Sequence, residues 1–393
     1  MCLPYANVPH AGGKTLNYYA SRFVSDAHAE ITMICKVRAD EKPHICDNSL
    51  IKTIPVYMPQ NKINRIAVYL CGINSKFNPT YIYGNTLLSY YYKKILFELN
   101  ELKKQGYNPD TIILEWTEIV LFIDKIKAIF PKTIIVASEH DVKLQSSFRM
   151  YQIEKNVIKR LYRKIQYFNM EKREIEALEK ADLVVTQSIK DRDILVNKGI
   201  EKNKQLVISP YFMVSQKKWI DNDSHNVVIY GDMRRRENYE SAIWYIKNVQ
   251  PLLKNKNIKL VVLGGNPPDE LKQYEDNNIH ITGYVDDIFE YLNDAFCMVV
   301  PLQFGAGIKV KCLEALDFGI PLLTNTIGIE GIGAEEATDY LLCVTAEEFA
   351  KSIDNVFENK KLRGNLAKNA LDYAKKNLNM EKSFIQYREK LNV

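Results

Sequence analysis

Several chemistries are disfavoured by what this 393-residue chain does not contain. No apolar run reaches the ~18 residues that a membrane-spanning helix needs, and the opening MCLPYANVPHAGGK lacks the basic-then-apolar order of a secretory leader. Cysteine is sparse and odd in number, seven with no Cys-x-x-Cys pair, which fits neither a disulfide framework nor a cysteine zinc site. The six histidines form no His-x-x-x-His pair, and Asp191 and Asp193 fall at a helix start, so no metal is assigned. Gly-x-Gly-x-x-Gly with an acid about 20 residues later is absent, against a dinucleotide oxidoreductase. No Gly-x-Ser-x-Gly nucleophile motif occurs, and no nucleic-acid reader motif accompanies the basic residues.

What is present is a soluble globular composition, 46% hydrophobic and 26% charged, in a chain long enough for two ordinary domains. Cys35, Cys297, Cys312 and Cys343 sit in apolar patterns, as expected for core packing in a reducing compartment. The net charge of +5 is uneven, because residues 1–210 hold 31 basic against 22 acidic side chains, and so carry +9. Two stretches account for much of it. Residues 52–94 contain Lys52, Lys62, Arg65, Lys76, Lys93 and Lys94 without an acid, and Lys155 to Lys164 contains five bases. Such runs usually form solvated helix faces; the alternative is a surface for anionic lipid head groups or a lipid-diphosphate acceptor.

The most informative stretch is FCMVVPLQFGAGIKVKCLEALDFGIPLLT, Phe296 to Thr324. Phe296 to Val300 is apolar without alternation, as in a parallel strand covered on both faces. Pro301 ends the ladder. Gly305, Ala306 and Gly307 form a tight loop, and a helical pattern from Ile308 leaves its first N–H groups aimed back into it, an arrangement that suits an anion. Lys309 and Lys311 fall in the first turn, where acids are normally preferred, so an anion is expected to answer them. Glu314 lies mid-helix, and Gly319, Ile320 and Pro321 stop the helix. Glycine loop, basic first turn and buried-pattern strand together favour a diphosphate ligand over a mere tight connection.

These residues resemble the nucleotide-sugar site of family-4 glycosyltransferases, group 1, whose GT-B fold is two facing Rossmann-like domains with the donor site in the cleft. In that family a helix glutamate binds the donor ribose, and Glu314 matches it. A second glutamate, eight positions earlier, touches the sugar; Ala306 stands there instead, so only backbone amides at Ala306, Gly307 and Ile308 remain for that contact. A sub-group with Gly-x-Gly and basic residues ahead of Leu-Glu-Ala is similar to this chain.

Along the chain, strands and helices alternate, as a parallel sheet requires. Gly12 and Gly13 form a glycine loop feeding an amphipathic helix from about Lys14, a weak phosphate-loop pattern. Only MCLPY precedes it, so the first strand is expected to be truncated, with the natural start upstream of Met1. Strands are expected from Glu30 and at Lys52–Met58, Asp110–Trp116, Lys132–Asp141, Ala181–Gln187 and Gln205–Ser209, with helices at Ile82–Lys104, Glu118–Phe130, residues 150–180 and Asp191–Lys198. Glu139, His140 and Asp141 sit at a strand's carboxyl end, where ligands bind in open α/β sheets, and the resemblance puts His140 near the donor sugar. Residues 211–226 are polar and patternless, a linker between residues 1–210, the acceptor side, and 227–377, the nucleotide-sugar side. In the second half Val227–Tyr230 is followed by Gly231, Arg234, Arg235 and Arg236. The resemblance implies that one of these arginines, Arg236 or Arg234 first, contacts the diphosphate. Alone, three arginines mark a solvated turn more often than a site. Backbone groups near Tyr284 and Val285, after a strand at Ile279–Gly283, are candidates for the nucleobase, and Glu330 lies in a family-like glycine loop. Residues 378–393 are expected to return to the first half.

The resemblance thus implies a retaining, metal-independent, hexosyltransferase-like enzyme. It would carry no cofactor beyond a nucleotide diphosphate-sugar co-substrate and would use a glycan or lipid-linked acceptor in cell-surface polysaccharide or glycolipid assembly. From the residues themselves, the missing span and leader add an expectation of work on the cytoplasmic side, the basic stretches a contact with the inner face of an anionic membrane as the alternative to a solvated face, and the missing reader motif no nucleic-acid partner. The alternative, suggested by Ala306, is a non-catalytic nucleotide-sugar or glycan-binding module.

Overall fold

The computed structural model describes residues 11–37, 50–57, 66, 86–305 and 307–392. The expected truncated first strand, Lys62, Arg65, Lys76 and Ala306 lie outside them. The chain divides into two compact units, Met1–Tyr211 with Met380–Val393, and Phe212–Asn379.

In the first unit, helix α1 (Ala11–Ala27) precedes strands β1 (Ile31–Val37) and β2 (Ile51–Tyr57), which pair in parallel. Next come α2 (Thr86–Lys104), β3 (Thr111–Glu115), α3 (Thr117–Val120), α4 (Ile123–Ile129), β4 (Ile134–Glu139), α5 (Lys143–Ile153), α6 (Val157–Lys180), β5 (Leu183–Thr186), α7 (Ile189–Asn197) and β6 (Gln205–Val207). β3 to β6 form a parallel sheet in sequence order. β4 and β5 are buried almost throughout, as their unalternating apolar sequences require, and the core between sheet and helices centres on Leu114, Ile119, Ile135, Phe130 and Leu178. Three expected helices change. Residues 118–130 break into α3 and α4, because Leu121 and Phe122 form a turn. Residues 150–180 break at Glu154, where Asn156 caps α6 through a 3.0 Å bond from Lys159 N to its Oδ1. Gly12 and Gly13 lie inside the first turn of α1 and not in a loop before it.

The second unit runs β7 (Asn226–Tyr230), α8 (Arg236–Asn248), β8 (Lys259–Leu263), α9 (Asp269–Lys272), β9 (Ile279–Gly283), α10 (Ile288–Asn293), β10 (Cys297–Val300), α11 (Val310–Phe318), β11 (Leu322–Thr324), β12 (Leu341–Leu342), α12 (Ala346–Glu358) and α13 (Lys360–Asn377). Its parallel sheet has the order β9-β8-β7-β10-β11-β12. The chain therefore starts in the middle, winds outward through β8 and β9, then crosses back to β10. β7 and β10 flank the switch point, where the loops after adjacent strands diverge and leave a crevice. Residues 212–225 carry no helix or strand and belong to this unit, with Asn226, the last residue of the expected linker, opening β7; Trp219 is buried there and its indole donates to Ala295 O at 2.8 Å. α14 (Met380–Leu391) belongs to the first unit, with Phe384 against Phe23 of α1 at a ring separation of 5.3 Å.

Candidate nucleotide-sugar site

The loops after β7 and β10 meet at the switch point of the second unit. After β10, Gly305 and Gly307 take φ of 143° and 70°, which only glycine adopts without strain. Helix α11 begins at Val310, later than the sequence pattern suggests, because Lys309 is its extended N-cap and not a first-turn residue. Lys309 Nζ folds back onto Gly307 O at 2.5 Å. Lys311, two residues on and in the first turn of α11, is half-buried and donates to Asn238 Oδ1 at 2.7 Å. Desolvation, with Arg235 and Lys309 nearby, pushes its ammonium pKa down to about 8. A cation held so far below its normal value, on a helix start beside further cations, would be stabilised by an anion.

Asn238 is the residue that the sequence reading missed. Buried on the first turn of α8, it also donates to Asp232 O at 2.8 Å, so one amide ties α8, the β7 loop and Lys311 together. Gly231 makes room for this: a Cβ there would lie 2.7 Å from both Asn238 Nδ2 and Lys311 Nζ. Helix α8 starts at Arg236 with Arg235 as N-cap. Each arginine of the run is exposed and paired within its own segment: Arg234 with Asp232 at 2.8 Å, Arg235 with Glu237, and Arg236 with Glu240. Arg236 also lies over the Phe304 ring of the glycine loop, 5.6 Å from its centroid. These pairings are surface contacts of small strength that an anion can displace.

Glu314 is buried on α11 and accepts from Met213 N at 3.2 Å, and the Tyr230 hydroxyl bonds to it as well. Burial and the Glu314 carboxylate together push the Tyr230 pKa up. Around this centre, Ile308 is half-buried beside the glycine loop, and Ile327 of the loop after β11 approaches within 3.9 Å of where a Gly305 Cβ would sit. Glu330, half-buried, is in that same loop. Tyr284, 79% exposed after β9, stands beside Gly265, and Val285 follows it half-buried.

Within the first unit, His140 and the Gly12–Gly13 pair come together. His140 stacks on Trp116 at 4.2 Å and 10°, donates through Nε2 to Glu115 at 2.8 Å, and receives Gln187 Nε2 on Nδ1 at 2.7 Å. Both ring nitrogens are thus committed. A Cβ on Gly12 would come within 3.0 Å of the Trp116 ring and 3.1 Å of His140 Nδ1, so the first turn of α1 lies directly against the stack. Trp116 holds φ of 66°, a strained value for so large a residue. Among the described residues no cluster of three His, Cys, Asp or Glu is arranged to hold a metal.

A switch-point glycine loop, a basic helix start and a buried helix glutamate thus come together on the doubly wound sheet of the second unit. Residues 224–359 match the family model described as glycosyl transferases group 1. The resemblance read from the sequence and the α/β fold class are therefore borne out. An uncharacterised 44.6 kDa protein of the cps region of Klebsiella pneumoniae is 25% identical over 248 residues, 60% of this chain and 62% of that protein. The chain thus spans less than two thirds of that relative's length. An uncharacterised glycosyltransferase of Methanocaldococcus jannaschii is 24% identical over 66% of this chain and 68% of its own length. Two solved structures share the fold over nearly the whole chain. WaaG, a glycosyltransferase involved in lipopolysaccharide biosynthesis, has a TM-score of 0.67 at 15% identity, covering 99% of this chain and 98% of its own. HepE of Anabaena, in complex with UDP and glucose, has 0.66 at 14%, with the same coverage.

Proposed function

We propose that the protein is a retaining glycosyltransferase that moves a sugar from a nucleotide diphosphate-sugar to a hydroxyl on a glycan or lipid-linked acceptor, in cell-surface polysaccharide or glycolipid assembly. The observation that carries the reading is Lys311, a desolvated cation beside Asn238 at the switch-point crevice. The cps-region relative and the WaaG fold agree with the setting.

In this reading the chemistry is stabilisation of a departing diphosphate and an oxocarbenium-like sugar, so cations and free helix N–H groups matter more than a general base. Lys311, Lys309 and one arginine of the 234–236 run take the leaving charge. The amides of Gly307 and Ile308 receive phosphate or sugar oxygens, and Glu314 exchanges its present partners for the ribose hydroxyls. The backbone near Tyr284 and Val285 borders the base. No metal or cofactor is invoked. HepE is seen with UDP-glucose, which makes UDP the first probe. The protein then works on the cytoplasmic side, with the acceptor brought to it in solution or at a membrane.

The test is thermal shift of the purified chain with UDP, GDP, CMP and ADP and their sugar conjugates, followed by donor hydrolysis without acceptor. A ligand that binds only the folded state must raise the melting temperature. A shift with one diphosphate family and slow hydrolysis support the enzyme. Tight binding without turnover under any acceptor replaces it with a binding module, and no shift with any nucleotide refutes the site.

A further inference from the structure

The hairpin of α5 and α6 carries an exposed apolar face that the transferase reading does not use. Helix α6 has 24 residues, yet its buried side chains, Glu174, Ala177 and Leu178, all lie in its last third. The first half projects. There Val157, Ile158 and Leu161 are 81%, 82% and 61% exposed, and Ile165 and Phe168 are exposed too. At helical spacing these five fall within an arc of about 100°. Lys159, Arg160, Arg163 and Lys164 lie on the remainder, together with Tyr162, Gln166 and Tyr167. Ile153, 72% exposed, ends α5, and Met150 and Phe148 extend the apolar patch along it. Between Val142 and Met170 seven basic residues face one acid, Glu154.

The tip is also built in advance. Asn156 caps α6, Arg160 lies over Tyr151 at 5.5 Å, and the Phe148 ring is 5.1 Å from that of Tyr167. Little ordering is therefore needed on docking. Exposed apolar stripe plus flanking cations is the pattern of an interfacial helix, whose apolar side enters the headgroup–acyl boundary while lysines and arginines meet anionic head groups. A nucleic acid would answer the charge but leave the stripe in water. A second copy would cover the stripe but set one basic tip against another.

We propose that the α5–α6 tip docks the protein on an anionic lipid bilayer. The inference stands on the hairpin and not on the transferase reading. The experiment is co-sedimentation of the full chain with vesicles of phosphatidylcholine, alone or mixed with phosphatidylglycerol. Expected is binding to the mixed vesicles that weakens as salt is raised. The double variants Ile158→Asp/Leu161→Asp and Lys159→Glu/Arg160→Glu should each lower it more than tenfold; the charge pair follows from about fivefold per basic side chain lost. Both variants should keep the wild-type melting temperature and UDP-induced shift, so failure here leaves the nucleotide site standing. No binding to mixed vesicles, equal binding to phosphatidylcholine alone, or binding that ignores both variants overturns the proposal. A tip-dependent dimer in sedimentation velocity without vesicle binding does so as well.

Discussion

Replacement of Lys311 by methionine tests the site most directly, because the structure supplies both a magnitude and a pH signature. In the free protein the ammonium titrates at about 8, since burial disfavours its charge. A bound diphosphate must raise that value towards or beyond the ordinary ~10.5. Binding therefore takes up a proton above pH 8, and wild-type affinity for UDP should fall by about tenfold between pH 7 and 9 from this group alone. Loss of a charge-assisted contact costs about 1.5–3 kcal/mol, or roughly 10- to 150-fold in affinity at pH 7. Lys311→Met should show that loss and should lack the extra pH slope. Calorimetric titration of both proteins with UDP at pH 7, 8 and 9 cancels the nucleotide's own ionisation in the difference. Because the replaced group is a desolvated cation, the melting temperature at pH 7 should hold, which separates lost anion binding from lost fold. Affinity within twofold of wild type, or identical slopes in the two proteins, would refute the assignment.

Three further outcomes follow from other parts of the molecule. Glu314→Gln keeps an acceptor for Met213 N but loses the charge; with Lys311→Ala it should lower sugar transfer or donor hydrolysis by about 100-fold, and wild-type rates in both variants would remove the two residues from the site. Gly264→Ala would place a Cβ 1.8 Å from Gly231 O at a φ of 148°, so the β8 loop must shift; a stability loss at or above the usual ~1–3 kcal/mol of overpacking is expected in urea melts. In the first unit burial pushes Glu174 up to about 8 and raises Glu139 well above its normal value, with Glu174 beside it adding to the rise. The folded state therefore holds protons that the unfolded state has released between roughly pH 4.5 and 8. Stability should fall as pH rises through that window, and Glu139→Gln, which neutralises a carboxylate oxygen without a hydrogen-bond partner, should flatten the fall in melting temperature from pH 5 to 8.

The strands were legible because a parallel strand covered on both faces has an apolar run that little else explains. Cys297–Val300 and Leu183–Thr186 show it, each buried at every position. Helix starts were less legible, since local propensity does not say where the first turn closes. The run from Ile308 reads as helical, yet Gly307 takes a left-handed φ and Lys309 an extended N-cap, which delays α11 to Val310. That two-residue delay changes the chemistry, because it puts Lys309 on the glycine loop and leaves Lys311 facing Asn238. No spacing rule links Lys311 with Asn238, 73 positions apart. Their contact exists because β7 and β10 are sheet neighbours, a fact of strand order that periodicity does not encode. His140 had the same fate: its position after β4 was readable, but its partners Glu115, Trp116 and Gln187 come from β3 and from the end of β5. The arginine run shows another limit of sequence reading. Three adjacent cations suggest an open anion site, but Asp232, Glu237 and Glu240, each within four residues, already pair with them. An incoming diphosphate must therefore displace an acid at any of the three, whereas at Lys311 the hydrogen bond to be displaced is to the neutral Asn238 amide, with the Glu237 carboxylate a further attraction. That difference in what must be displaced makes Lys311, and not the arginine run, the residue whose loss should be felt most by an anionic ligand.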